Sequence, residues 1–120
     1  MTRNTFSSSF SSSTQSNGSA STSSKRPLFR MGQTVATPGA LALFEEAALS
    51  VHTVLARHVC GDWAQMNAED AQSNRDALQS GARVFSSYTV HGQTVWVITE
   101  AINDATGQRD STCVLLPEEY

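Results

Sequence analysis

From Arg83 onward the apolar positions recur with a period of two. Val84, Ser86, Tyr88 and Val90 alternate with Phe85, Ser87 and Thr89, His91-Gly92-Gln93 turns the chain, and Thr94 to Ala101 returns it. Val95, Val97, Thr99 and Ala101 then share one face, and Trp96, Ile98 and Glu100 the other. Because both faces are largely apolar, the run Val95–Glu100 is predicted to be the central strand of a small antiparallel sheet. Ile102 to Asp110, with Asn103-Asp104 and Gly107, reads as a polar loop, and Ser111 to Leu116 as a third strand stopped by Pro117.

Upstream of Arg83 the period is helical. Gly32 to Ala36 is short and partly β-branched, an edge strand or an extended arm. Thr37 reads as an N-cap with Pro38 in the first helical position, where a missing N–H costs nothing. Leu41, Phe44, Ala48 and Leu49 would line one face, leaving Glu45 and Glu46 outside. Ser50 recaps a second helical run whose buried set is Val51, Val54, Leu55 and Val59, and Gly61 stops it. Asn67 caps a third helix with Asp70 in the capping-box position, Gly81 after its end, and a thin stripe of Ala71, Asn74, Ala77 and Leu78. The expectation is an α+β domain: two or three short helices packed on one face of a three-stranded antiparallel β-meander.

Charge and composition divide the 120 residues in two. Residues 1–30 are rich in Ser and Thr and carry four basic side chains and no acid, so they are predicted to form a disordered tail. Residues 31–120, the α+β domain, hold the other four basic residues and all eleven acids, a net charge of −7. Such a domain repels phosphate backbones, which confines nucleic acid to the basic tail or to a local ribonuclease-type site. Cys60 and Cys113 have neither CxxC spacing nor the density of a disulfide scaffold, no apolar run approaches the roughly 18–20 residues of a membrane span, and the N-terminus lacks an apolar h-region. The expected location is the cytoplasm, away from membranes.

Candidate chemistry gathers in two places. In Arg57-His58-Val59-Cys60-Gly61-Asp62-Trp63, His58 could exchange protons with Asp62 orienting it; the commoner account makes these residues a helix end. No metal or cofactor motif is visible, since His52 and His58, six apart, fall on different helix faces. At the sheet end, Glu100, Arg109, Ser111 and Thr112 could hold a phosphate and move a proton, with Arg83 or His58 completing the set; the plainer account is a Glu–Arg surface pair. If the protein is an enzyme, His58, Glu100 and Arg109 are the catalytic candidates. Binding candidates are Arg57, Asp62, Trp63, Arg83, Glu118 and Tyr120, the last two within the terminal run Leu115-Leu116-Pro117-Glu118-Glu119-Tyr120.

That terminal run, with Val35-Ala36-Thr37-Pro38-Gly39-Ala40-Leu41, Arg57-His58, Gly61-Asp62-Trp63, Glu69-Asp70, Asn74 and Trp96-Val97-Ile98-Thr99-Glu100-Ala101, resembles one family. Its members are small bacterial proteins of unassigned activity carried on plasmids and integrative elements, sometimes labelled type I restriction endonuclease subunit M. The resemblance covers residues 31–120 and departs at two points. Ile102 to Asp110 is inserted where the family runs from Thr-Glu-Ala directly into Asp-Arg-Ser, and Ala64 replaces a Gly. The insertion undercuts any role that needs Arg109 at a fixed distance from Glu100. The methylase label fails on the residues: there is no Gly-rich loop after a strand for a methyl donor and no Asn-Pro-Pro-Tyr motif.

Two functions from different classes follow as expectations. One, implied in part by the resemblance, is a non-enzymatic accessory protein of a mobile element that binds a protein partner through its acidic surface or C-terminal segment. The other is a metal-independent ribonuclease domain of the barnase/RelE type.

Overall fold

The computed structural model describes residues 26–120, and the segment predicted to be disordered lies mostly outside them. Strand β1 (Gln33–Ala36) leads into helices α1 (Pro38–Glu46), α2 (His52–Val59) and α3 (Ala68–Ser80). Strands β2 (Val84–Val90) and β3 (Gln93–Thr99) follow, then the short pair β4 (Ile102–Asn103) and β5 (Gln108–Arg109), β6 (Ser111–Leu115), and a 3-10 turn over Pro117–Glu119. No helix among the described residues is long and apolar enough to cross a membrane.

The α+β class holds, but the sheet is four-stranded rather than a three-stranded meander. Its order is β1-β6-β3-β2, and β1 joins β6 in parallel at one edge. The antiparallel core follows the predicted alternation: Val90 pairs with Gln93 across the His91-Gly92 turn, and β3 lies between β2 and β6. Both turn residues have positive φ, 52° at His91 and 77° at Gly92, the conformation a two-residue hairpin needs. The predicted polar loop after Ala101 is instead the small hairpin β4–β5, held by Ile102 pairing with Arg109 and Asn103 with Gln108.

Local caps form as their residue types dictate. The Thr37 hydroxyl accepts from the Ala40 N–H at 3.3 Å, and the Asn67 side chain from the Asp70 N–H at 2.8 Å. Gly81 ends α3 in the left-handed conformation at φ 83°. The predicted Ser50 cap is not what starts α2: Val51 holds the N-cap position without a side-chain cap, and the Ser50 hydroxyl accepts from the His52 N–H at 3.1 Å in the turn before it. The buried face of α1 is corrected: Ala40, Leu43 and Phe44 point inward, while Leu41 and Leu49 are 51% and 48% exposed. The helix stops at Glu46 and Ala48 turns left-handed, so Leu49 no longer lies on the helical wheel that pattern counting extends to it.

The helices cover the sheet face that carries Val84, Tyr88, Val90, Val95, Val97 and Val114. One buried cluster joins Ala40, Leu43, Phe44, Val54 and Leu55 to that face, and a second joins Trp63, Ala71 and Ala77 to Val84. Packing reaches back to Leu28, whose N–H donates to the Val59 carbonyl at 2.7 Å, and to Phe29, which lies against the second cluster. Asn74 closes the outer edge of β2. Its amide donates to the Phe85 carbonyl at 2.7 Å and accepts from the Phe85 N–H at 3.0 Å, pairing a buried side chain with a strand edge that would otherwise offer open backbone groups.

Candidate functional site

His58 is fully buried between α2 and the sheet, with both ring nitrogens engaged. Nδ1 meets the Ser86 hydroxyl at 2.5 Å and Nε2 the Thr99 hydroxyl at 2.8 Å; Thr99 meets Thr112 at 2.6 Å, and Thr112 donates to the Met31 carbonyl at 2.7 Å. The protons follow from that last bond as far as the ring, because a carbonyl only accepts and each hydroxyl has one proton. Thr112 donates to Met31, so Thr99 donates to Thr112 and His58 donates from Nε2. The ring, fully buried, is neutral, so Nδ1 accepts from Ser86. Its pKa is lowered to about 3, first by burial and then by the Arg109 guanidinium. A base this weak and this enclosed does not exchange protons with a ligand in water. It ties α2 to β2, β3, β6 and the segment before β1. His58 lies in the last turn of α2, as the helix-end account has it, but as a neutral ring.

Arg109 is also buried, and its partners are carbonyls. It donates to Ala82 at 2.6 Å and Glu100 at 3.0 Å through one nitrogen, and to Ala77 at 3.1 Å through the other. The guanidinium so caps the C-terminal end of α3 and fastens the β4–β5 hairpin to it, where the helix dipole favours a cation. The Phe29 ring separates the two candidates: Arg109 lies 5.6 Å from its centroid, and His58 packs edge-on at 5.2 Å. Glu100 meets Arg109 through its backbone, while its side chain is exposed. The three catalytic candidates thus share no common cavity, and the predicted Glu100–Arg109 side-chain pair does not form.

Arg57 and Asp62 do come together. Arg57 Nε donates to the Asp62 carboxylate at 2.8 Å, its guanidinium lies 4.6 Å from the Tyr88 ring centroid, and the Tyr88 hydroxyl donates to the Asp62 carbonyl at 2.8 Å. Burial pushes the Tyr88 pKa up to about 12. These contacts hold the α2–α3 connection on the sheet end. Trp63, in the same connection, is 5% exposed and lines an open groove of about 780 Å³ beneath the N-terminal arm. No three His, Cys, Asp or Glu side chains among the described residues assemble a metal-ion cage, and no disulfide joins Cys60 and Cys113.

The remaining binding candidates meet on the sheet face opposite the helices. Tyr120 is 72% exposed; its hydroxyl accepts from Arg83 at 3.2 Å and its ring lies edge-on to Trp96 at 5.8 Å. Trp96 in turn contacts Phe85 at 5.0 Å. Glu118 is exposed beside Tyr120, and Glu100 closes the same face of β3. Phe85 and Trp96 were not among the sequence candidates, although strand parity already puts both on one face. What parity cannot supply is Tyr120, which arrives through the C-terminal turn. Compared with protein-family models, curated proteins and solved structures, the chain has no match.

Proposed function

We propose that this chain is a small non-enzymatic binding protein, and that its partner docks on the open face of the sheet around Phe85, Trp96 and Tyr120. The observation that carries this reading is the aromatic row itself, half-exposed to exposed and held edge-to-edge. Aromatic rings held in place by packing are the side chains that dominate protein recognition, because they bury much area at little entropic cost. Arg83, Glu100 and Glu118 give the row a polar rim, and the −7 charge of residues 31–120 favours a basic partner. The separation of His58, Glu100 and Arg109 supports binding over ribonuclease chemistry. The resemblance to small proteins of plasmids and integrative elements makes an accessory role on a mobile element part of the same proposal.

The test is co-purification from the source cells under gentle lysis. A partner retained by the wild type and lost in Trp96→Ala and Tyr120→Ala, with each variant still folded by circular dichroism, is expected. Recovery of the wild type as a lone monomer counts against the reading. RNA cleavage by purified protein, abolished in Glu100→Ala, would replace it with the ribonuclease.

A further inference from the structure

The two edges of the main sheet are finished differently. At β2 the Asn74 amide occupies the outward N–H and carbonyl of Phe85. At the other edge, among the described residues, no strand lies beyond β1 and no other element bonds to its outward groups. Gln33 and Thr37 direct their N–H groups toward β6, onto the Asp110 and Val114 carbonyls at 3.0 Å. Backbone groups alternate sides along a strand, so Thr34 and Ala36 direct theirs the other way, into the open edge. Sheet edges are commonly blunted by lysine, proline or a bulge, and Gln33–Ala36 has none of these. Residues 31–44 carry no charged side chain, within a region whose net charge is −7. The carboxylate that reaches the end of the strand, Glu119, is engaged by Thr37, Gly39 and Leu116.

We infer that β1 pairs with β1 of a second copy of this chain, antiparallel about a two-fold axis through Val35, and so joins the two sheets into one. The parity of the strand sets this register. Thr34 then lies opposite Ala36 of the second copy, and outward-facing residues so placed exchange both of their N–H···O bonds on either side of the axis. Val35 lies opposite Val35 of the second copy in the closer, non-hydrogen-bonded pair, which covers a side chain that is 46% exposed. An axis through Thr34 would instead call on Gly32, which at φ 66° is not extended. Across each sheet Val35 stands beside Cys113, Cys113 beside Ile98 and Ile98 beside Phe85, so the pairing makes one unbroken apolar row from Phe85 to Phe85. Charge favours a copy as the occupant: a basic partner is drawn to the acids elsewhere on the surface, whereas this neutral strand is complementary to itself. A strand of 4 residues makes a small interface, so the dimer is weak and depends on concentration. The inference concerns the sheet edge and does not rest on what docks at Trp96 and Tyr120.

The full-length protein is followed by sedimentation equilibrium from about 10 µM to about 1 mM, a range that brackets weak association. The expected result for the wild type is a monomer–dimer equilibrium. Thr34→Pro removes only an outward donor, which an edge strand tolerates, and Val35→Lys sets like charges face to face across the axis. Each should raise the dissociation constant at least about tenfold while circular dichroism stays unchanged. In a Cys60→Ser, Cys113→Ser background, Val35→Cys should form an intermolecular disulfide under mild oxidation, since the Cα atoms of such a pair lie about 4.5 Å apart. Gln33→Cys, on the same face but away from the axis, should not. A wild type that stays monomeric at about 1 mM overturns the inference. So does a dimer that persists undiminished in either Thr34→Pro or Val35→Lys, which would place the contact elsewhere, or cross-linking at Gln33 as readily as at Val35, which would mean another register or chance collision.

Discussion

The carboxylate of Glu119 accepts from the backbone N–H of Gly39 at 2.9 Å, joining the last turn of the chain to the first turn of α1 across 80 residues. The same carboxylate accepts from the Leu116 N–H at 3.0 Å and from the Thr37 hydroxyl. An acid therefore sits where unpaired helix N–H groups and the positive end of the dipole call for one, but it comes from the far end of the sequence. The terminal run is a clasp as well as a surface.

Glu119→Gln is expected to lower the melting temperature, and Gly39→Ala to do the same, since a Cβ at Gly39 would lie 2.5 Å from the Glu119 carboxylate. The double variant should lose less than the two single losses added together, because both remove one interaction. The hydrogen bonds from Thr37 and then Leu116 lower the Glu119 pKa below its usual 4.5. This contribution is accordingly complete above that value and disappears as pH falls through the folded-state pKa. Thermal melts of the four proteins above and below this range check both points.

His58 gives acid sensitivity at a higher pH. Its pKa falls from 6.5 in an open chain to about 3 in the fold, so the unfolded state binds the extra proton between those values. Stability should be level above about pH 6.5 and decline as pH falls toward 3, by at most about 5 kcal/mol in total. Nitrogen-15 chemical shifts of the imidazole should show a neutral ring protonated at Nε2 at pH 5. A ring that titrates near 6.5 in the folded protein would contradict the proton order assigned to the chain from Ser86 to Met31.

Arg109 should behave as a structural cap. Arg109→Met removes the guanidinium from the Ala82 and Glu100 carbonyls and leaves Ala77 with only the Gly81 N–H, and is expected to cost about 2–4 kcal/mol, measured by urea unfolding. Hydrogen exchange should accelerate first at the end of α3 and in the β4–β5 hairpin. Unchanged stability would return Arg109 to the list of candidate functional groups.

Among the described residues, two non-glycines, Ala48 at φ 57° and His91 at φ 52°, occupy the left-handed region. Ala48→Gly and His91→Gly should each raise stability by about 1 kcal/mol, because glycine adopts this region without the Cβ clash. Both sites are exposed, so little packing is lost.

Where one residue type controls its own neighbourhood, the fold was legible in the sequence. Thr37-Pro38, Asn67 and Gly81 mark helix ends through bonds spanning three or four residues, and the alternation from Val84 to Thr99 fixes which side chains face the helices. Asn74 was legible as part of the stripe that α3 turns to the domain, though not as the guard of a strand edge. The candidate site was less legible. Arg57 and Asp62, five apart and bracketing a helix end, meet as their spacing allows; Glu100 and Arg109, also brought close, meet through backbone instead, because the Arg109 guanidinium donates to two carbonyls at the end of α3 and to that of Glu100 after β3.

The sequence by itself determined the three helices and the strands of the central hairpin, the caps made by Thr37, Asn67 and Gly81, and the two faces of those strands, since these depend on interactions a few residues long. The tertiary structure alone decided that β1 lies parallel to β6, that Glu119 caps α1, that His58 is locked neutral among three hydroxyls, and that Tyr120 completes the row begun by Phe85 and Trp96. Each of these joins residues between 24 and 82 positions apart. Such a contact is specified by which surfaces remain to be buried after the local elements form, and no local pattern records it.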